Sequence, residues 1–234
     1  VSQPVSAAAL QALRRLDSCA VANAIETFDV RLRNEGFTDG RIRCMFEALP
    51  SVVGYAVTAR IRCSTPPPVG HAYLDRTDWW TYIQKVPAPR IVVVEDIDER
   101  IGLGAFVGEV HANILRAIEC EAVVTNGSVR DLPAVRECGL QLFAGSVSPS
   151  HAFVHMVDFG QPVSVGGLAV ESGALLLGDR HGVVLVPPGL AESLPAKVVD
   201  MRAKEREVIE ISREKNLSID RLRAAVKGIE RWRC

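Results

Sequence analysis

The sequence predicts an α/β fold with a largely parallel sheet, followed by a compact β layer and a C-terminal helical extension. Three observations predict it. Between Ile91 and Ala144, continuous apolar runs alternate with stretches of helical periodicity, the pattern of βαβ units. After Pro149, short β-rich runs are punctuated by glycines, as in a small β layer or barrel. From Leu190 to Cys234 the chain turns helical and charged.

Leu10, Leu13 and Leu16 recur at i, i+3 and i+6, and Asp17-Ser18 offers an N-cap for the apolar stretch Cys19 to Ile25. The N-terminal segment therefore reads as two short helices. Val52 to Cys63 is β-branched and alternating, a strand, after which Pro66-Pro67-Pro68 and Gly70 force an irregular loop. Ile91 to Val94, bounded by Pro89 and by Glu95-Asp96, suits a strand buried on both faces. Val107 to Ile118 reads as a helix, because Val110, Ile114, Ala117 and Ile118 share a face and Glu109 stands in the first turn. Ala122-Val123-Val124 is another buried strand, and Asn126-Gly127 signals a turn. Asp131-Leu132-Pro133 is the capped start of a helix reaching Cys138, with a strand from Leu140 to Ala144 after it. Pro162 to Val165, Leu168 to Val170, Leu175 to Leu177 and Val183 to Val186 are short strands separated by Gly166-Gly167, Gly173 and Gly182.

Composition narrows the function. The 234 residues are 48% hydrophobic and 24% charged, enough to bury a core without staples, so disorder is excluded. Lys and Arg number 27 against 28 Asp and Glu, a net charge of -1 that offers no general attraction to a phosphate backbone, and no nucleic-acid partner is expected. No apolar run approaches the roughly 18 residues of a membrane span, and the first residues show no signal-peptide pattern. Six cysteines stand far apart with no C-x-x-C pair, which suits small core or surface thiols in a reducing, cytoplasmic setting. From Met201 onward ten Lys/Arg interleave with six Asp/Glu, a solvated helical face more than an RNA contact. Residues 1–189 are read as one domain, and 190–234 as an extension packing on the core or on a neighbouring subunit.

The spacing with most chemistry in it is Glu109 followed, past a helix and a strand, by Arg130-Asp131. A helix of about eleven residues runs roughly 16 Å, and a returning strand of about five residues covers a similar distance. Glu109 and Arg130-Asp131 should then share the sheet edge at which open α/β sheets bind ligands. Two carboxylates there suit a hard divalent cation, with Asp131 as ligand and Glu109 acting directly or through water. The Arg130 fork suits a substrate carboxylate or enolate oxygen, and the amides from Gly108 to His111 a further carboxylate. A polarised 2-oxo acid could then lose a C–C bond by aldol cleavage or decarboxylation. Taken singly, Glu109 could equally complement a helix dipole, and Arg130-Asp131 could be a surface ion pair with an N-cap. The residues alone leave that choice open.

The run G-E-V-H-A-N-I-L-R-A-I-E-C-E-A-V-V-T-N-G-S-V-R-D-L from Gly108 to Leu132, with G-D-R-H-G-V-V-L-V-P from Gly178 to Pro187, resembles the 4-hydroxy-4-methyl-2-oxoglutarate aldolase family, which includes the regulators of ribonuclease activity A (RraA). The resemblance extends from Asp17 through Pro187. It implies an α-β-β sandwich of the swivelling-domain type, Mg²⁺ or Mn²⁺ as cofactor, and a lyase yielding pyruvate from a 2-oxo acid, as an aldolase or an oxaloacetate decarboxylase. It also implies a homotrimer or hexamer with sites between subunits. It assigns Asp131 to the metal, Glu109 to metal-bound water, Arg130 to substrate oxygens, and the backbone of Gly108, Glu109, Val110 and His111 to the substrate carboxylate. Glu205 is the candidate for a carboxylate lent by a neighbouring subunit. Some members of the family bind and mask a ribonuclease instead of turning over substrate, which makes a regulator the alternative.

Two positions depart from the family pattern: Ser172-Gly173-Ala174 lacks its usual acid, and His181 stands in a tight turn in place of an acid or amide. Of the other histidines, His71, His151 and His155 have no metal spacing and read as structural, whereas His111 lies at the expected anion-binding turn. Trp79-Trp80 reads as core, with an inter-subunit anchor as the alternative, and loop residues from around Pro66 to Trp80 are expected to meet the distal half of a substrate. A dinucleotide site fits poorly, because Gly102, Gly104 and Gly108 are misplaced for the Rossmann turn, which also weakens a methyltransferase.

Overall fold

The computed structural model describes residues 5–67 and 76–230; His71, Gly70 and Cys234 lie outside them. Helices α1 (Ala7–Leu13) and α2 (Ser18–Glu26) open the chain. Each begins at a side-chain cap, Ser6 Oγ accepting from the Ala9 amide at 3.1 Å and Asp17 Oδ1 from the Ala20 amide at 2.7 Å. Next come β1 (Arg43–Cys44), β2 (Val52–Arg62), α3 (Arg76–Lys85), β3 (Arg90–Asp96), β4 (Ala105–Val107) and α4 (Glu109–Ala117). They are followed by β5 (Cys120–Val129), α5 (Leu132–Glu137), β6 (Gln141–Val147), β7 (His155–Phe159), β8 (Val163–Val165) and β9 (Leu168–Val170). The hairpin β10 (Leu175–Asp179) and β11 (Gly182–Val186) leads to α6 (Leu194–Ser212) and α7 (Ile219–Glu230).

The main sheet runs in the order β1-β6-β5-β3-β2-β10-β11, with β4 beside β5 and β7 beside β2. Its centre is parallel: β2, β3, β5 and β6 all run the same way, as the βαβ reading required. Strand alternation sends the two faces into separate cores. Val92, Val94, Val123 and Leu142 face one core, which also takes Leu13, Val21, Trp79 and Leu115 from the helices. Ile91, Val93, Ala122, Val124 and Phe143 face the other, closed by Val163, Val165, Leu168 and Val170 of the β8–β9 hairpin. The result is helices, large sheet and small β layer, an α-β-β sandwich. In α6, Leu194, Val198 and Met201 join the helix-side core of this same chain.

Three local expectations need correction. The loop expected from around Pro66 to Trp80 ends earlier, because α3 starts at Arg76. Its spacing of Trp79, Ile83 and Val86 is helical, but the neighbouring prolines and the lack of a capping signal conceal it. Trp79 is fully buried, its ring 6.1 Å from Tyr82 and 5.6 Å from Phe159, in keeping with core. Asn126-Gly127 is no turn. It lies within β5, where the Asn126 side chain pairs with the Asp96 backbone (Asp96 N to Oδ1 2.7 Å, Nδ2 to Asp96 O 2.9 Å) and the register against β6 shifts between Thr125 and Ser128. A bulge braced by an amide replaces the hairpin. Finally, α4 begins at Glu109, because Val107 belongs to β4 and Gly108 remains extended.

Candidate active site

Parallel β5 delivers Arg130 and Asp131 to the sheet edge from which α4 departs. The Arg130 amide donates to Val107 O at 2.9 Å, fastening the end of β5 to β4 directly ahead of Gly108. Asp131 then turns with φ 56° and ψ 37°, a left-handed conformation that Asp tolerates better than most residues. At the head of α5 its side chain was expected to cap its own helix. Instead it crosses to α4, and Oδ2 accepts from the Glu109 amide at 3.0 Å. Arg130 Nε lies 3.6 Å from the same oxygen, and both side chains remain roughly two-fifths exposed. A Cβ on Gly108 would overlap Asp131 Oδ2 and come within 3.0 Å of Arg130 Nε. The glycine is thus matched to the carboxylate and guanidinium that crowd it.

These groups open into a cavity of about 660 Å³. Gly108, Glu109, Val110, His111, Arg130 and Asp131 all line it, so the out-and-back excursion brings the expected residues together. Glu109 is exposed. His111 is buried, its ring edge-on to Phe106 at 4.8 Å with Nδ1 3.3 Å from Phe106 O. Of the backbone amides assigned to a substrate carboxylate, that of Glu109 is engaged by Asp131. Glu205 is half-buried on α6 and does not line this cavity in its own chain.

Pro67 and Trp80, from the stretch expected to meet the distal half of a substrate, also line the cavity. Sequence reasoning missed Phe106, Ile114 and the segment His151 to Val154 between β6 and β7, which line it as well. No spacing ties residues 151–154 to Asp131; only the fold brings them near. The backbone of that segment is fixed on several sides: Ala105 N donates to Ser150 O at 2.9 Å, Phe153 N to Cys63 O at 3.1 Å and Val154 N to His151 O at 3.0 Å.

A second acidic group, also not foreseen, lies where β2 and β3 end, at the last residue of β3 and in the loops that follow both strands. Ligand atoms of Cys63, Asp96 and Asp98 fall within 4.8 Å of one another, all buried. Their hydrogen bonds brace the loops. Asp98 Oδ2 accepts from the amides of Cys63 (2.5 Å) and Ser64 (2.8 Å), Oδ1 accepts from Ser64 Oγ (2.8 Å), and Asp96 Oδ2 accepts from the Gly102 amide (2.8 Å). Burial, with Asp96 close by, pushes the Cys63 thiol up to about 12, so it stays protonated at neutral pH. Burial also raises the Asp96 carboxyl. For Asp98 burial acts upward, but the bonds from Cys63 and Ser64 outweigh it and hold the carboxyl below its ordinary value. A soft sulfur among its three ligands, and an Asp98 carboxylate that accepts three hydrogen bonds, make this the poorer site for a hard cation. The half-exposed Asp131 carboxylate beside an open cavity fits a hard cation better.

The two departures lie off the cavity. Ser172 Oγ accepts from Tyr82 OH at 2.8 Å, and the His181 amide donates to Asp179 Oδ1 at 2.9 Å in the β10–β11 turn.

The family model RraA-like (Aldolase/RraA) matches residues 18–185. A Halalkalibacterium halodurans protein named "Putative 4-hydroxy-4-methyl-2-oxoglutarate aldolase" is 24% identical over 115 residues, 49% of this chain and 52% of that protein. Protein DlpA of Legionella pneumophila is 21% identical over 129 residues, 54% of this chain and 21% of its own length. The matched region thus spans about half of one curated relative and a fifth of the other. Among solved structures, an uncharacterized protein from Pseudomonas syringae superposes with a TM-score of 0.72 at 20% identity, covering 97% of each chain. RraAS2 of Streptomyces coelicolor, described as an unusual member of the RNase ES inhibitor RraA family, gives 0.67 at 20% identity over 87% of this chain and 96% of that one. At these identities the likeness carries the fold.

Proposed function

We propose, from the premise that the chain belongs to the RraA-like (Aldolase/RraA) family, that it is a divalent-cation-dependent lyase cleaving a C–C bond of a 2-oxo acid to release pyruvate. One observation carries this reading: Glu109, Arg130 and Asp131 converge on a single cavity beside a glycine that leaves them room. Asp131 would hold the cation, Mg²⁺ or Mn²⁺, with Glu109 reaching it through water and Glu205 of a neighbouring copy as a further carboxylate in a trimer or hexamer. When bound, the cation polarises the 2-oxo group and offsets the negative charge that develops as the bond breaks.

The chain's own residues do the remainder. The Asp131 Oδ2 bond to the Glu109 amide fixes the direction of the carboxylate that would hold the cation. Arg130 presents a planar fork to the substrate carboxylate, orienting the C3–C4 bond for cleavage. Glu109, exposed and lining the cavity, would take the proton released from a 4-hydroxyl group directly or through water. His111, buried beside Phe106, shapes the wall at the first turn of α4.

The test is pyruvate release from oxaloacetate and from 4-hydroxy-4-methyl-2-oxoglutarate with Mg²⁺, with and without a chelator. The reading requires cation-dependent release that disappears in Asp131→Ala and Arg130→Ala. No release from either substrate, with tight binding of a ribonuclease, would replace it by the masking role.

A further inference from the structure

We infer that the substrate of this site is a 4-hydroxy-2-oxo acid whose C4 substituent is apolar or aromatic, in place of a second carboxylate. This deepens the lyase reading and rests on it. The polar groups gather at one part of the cavity, around Arg130 and Asp131, where the 2-oxo acid head belongs. Most of the remaining wall is apolar, with Pro67, Trp80, Phe106, Ile114, Phe153 and Val154 in it, and His151 is the polar side chain beside Phe153. Phe153 is the most telling. The residue is 53% exposed and lines the cavity, so a large apolar side chain is available there to a ligand. Its backbone is held by the Cys63 carbonyl, and the neighbouring His151 carbonyl presses on Gly104, where a Cβ would meet that oxygen at 2.5 Å. The apolar ledge is therefore built in, not swung into place by a free loop. Among the described lining residues of this chain Arg130 is the one arginine or lysine, and the substrate's own carboxylate claims it. A distal carboxylate would be desolvated against rings, whereas an aryl or alkyl tail would bury them.

The chemistry balances without further reactants. The 4-hydroxyl proton goes to a base, the C3–C4 bond breaks, and its electron pair becomes pyruvate enolate. C4 leaves as an aldehyde carrying the tail, and a solvent proton completes the pyruvate methyl group.

Three measurements on the full chain with Mg²⁺ decide it: exchange of pyruvate methyl protons in D₂O, which ignores the tail, and kcat/KM for 4-hydroxy-4-phenyl-2-oxobutanoate and for 4-hydroxy-4-methyl-2-oxoglutarate. The expected result is methyl exchange, with the phenyl substrate preferred roughly ten-fold or more, the order of discrimination an apolar pocket gives. Phe153→Ala should narrow that preference. Exchange accompanied by preference for the dicarboxylate overturns the substrate class and leaves the lyase standing. Absence of both exchange and cleavage overturns the lyase and this inference with it.

Discussion

The Glu109 amide donates to Asp131 Oδ2 across 3.0 Å, so a carboxylate at the head of one helix caps the next helix along the sheet edge. Residues 22 apart in sequence are thereby locked into one unit, with the Arg130 guanidinium against the same oxygen. This tie makes Asp131 a structural cap and the candidate cation ligand at once, and the two roles are separable.

Asp131→Asn keeps an acceptor for the Glu109 amide and a side chain tolerant of φ 56°, but removes the charge. Its thermal unfolding should stay close to the parent's, while cation-dependent pyruvate release disappears. Asp131→Ala loses the cap as well and should be less stable by about 1 kcal/mol. Chemical denaturation of the two variants side by side checks the difference.

Gly108→Ala introduces a methyl group where Asp131 Oδ2 stands, at a backbone conformation (φ -133°) open to any residue. The fold should survive, and the displaced carboxylate should lower kcat/KM roughly 100-fold. Parent-like kinetics for this variant would show that the carboxylate's position is not critical.

Asp179 lies buried between β10 and α2, accepting from the Ser18 amide and from Ser18 Oγ, each at 2.7 Å. Burial pulls its carboxyl upward, but the Ser18 and His181 donors outweigh that and hold it below the ordinary carboxylate value. The stabilisation is therefore present above the unfolded value of about 3.9 and is lost as pH falls through the depressed folded value. Ser18→Ala should cost about 1.5–3 kcal/mol at pH 7, and the gap should narrow well below pH 4. Urea unfolding at both pH values reads it.

Two acidic groups could compete for a cation, and Mn²⁺ titration by electron paramagnetic resonance separates them. Asp131→Ala should abolish the tight site. Asp98→Asn should keep it, losing about 1–3 kcal/mol of stability from its broken bonds to Cys63 and Ser64. The reverse outcome would move the cation to Cys63, Asp96 and Asp98.

Much of this architecture is legible in the sequence because burial writes it there. Ile91 to Val94 and Ala122 to Val124 are apolar on both faces, as only central parallel strands need be, and they form the middle of the sheet. The out-and-back path from Glu109 to Arg130-Asp131 is legible too, but not its lengths: α4 has 9 residues and β5 has 10, and the pairing of β4 with the end of β5 sets Gly108 beside Arg130. What stayed hidden depends on tertiary partners. Asn126-Gly127 carries turn chemistry, but the Asp96 backbone captures the asparagine and keeps it in the strand. Helix α3 lacks a legible start beside its prolines. The ledge at Phe153 is invisible for a different reason: it reaches the site through Cys63 and Gly104, residues with which it shares no periodicity.

The central claim is that Asp131 and Arg130 direct a divalent cation and a 2-oxo acid to the same place. Deuterium exchange into the methyl group of pyruvate, followed by proton NMR with Mg²⁺ and then with excess chelator, tests it most directly. The account predicts exchange in the parent chain that stops with chelator and is absent in Asp131→Asn. Exchange that persists in that variant, or that ignores the chelator, would contradict it.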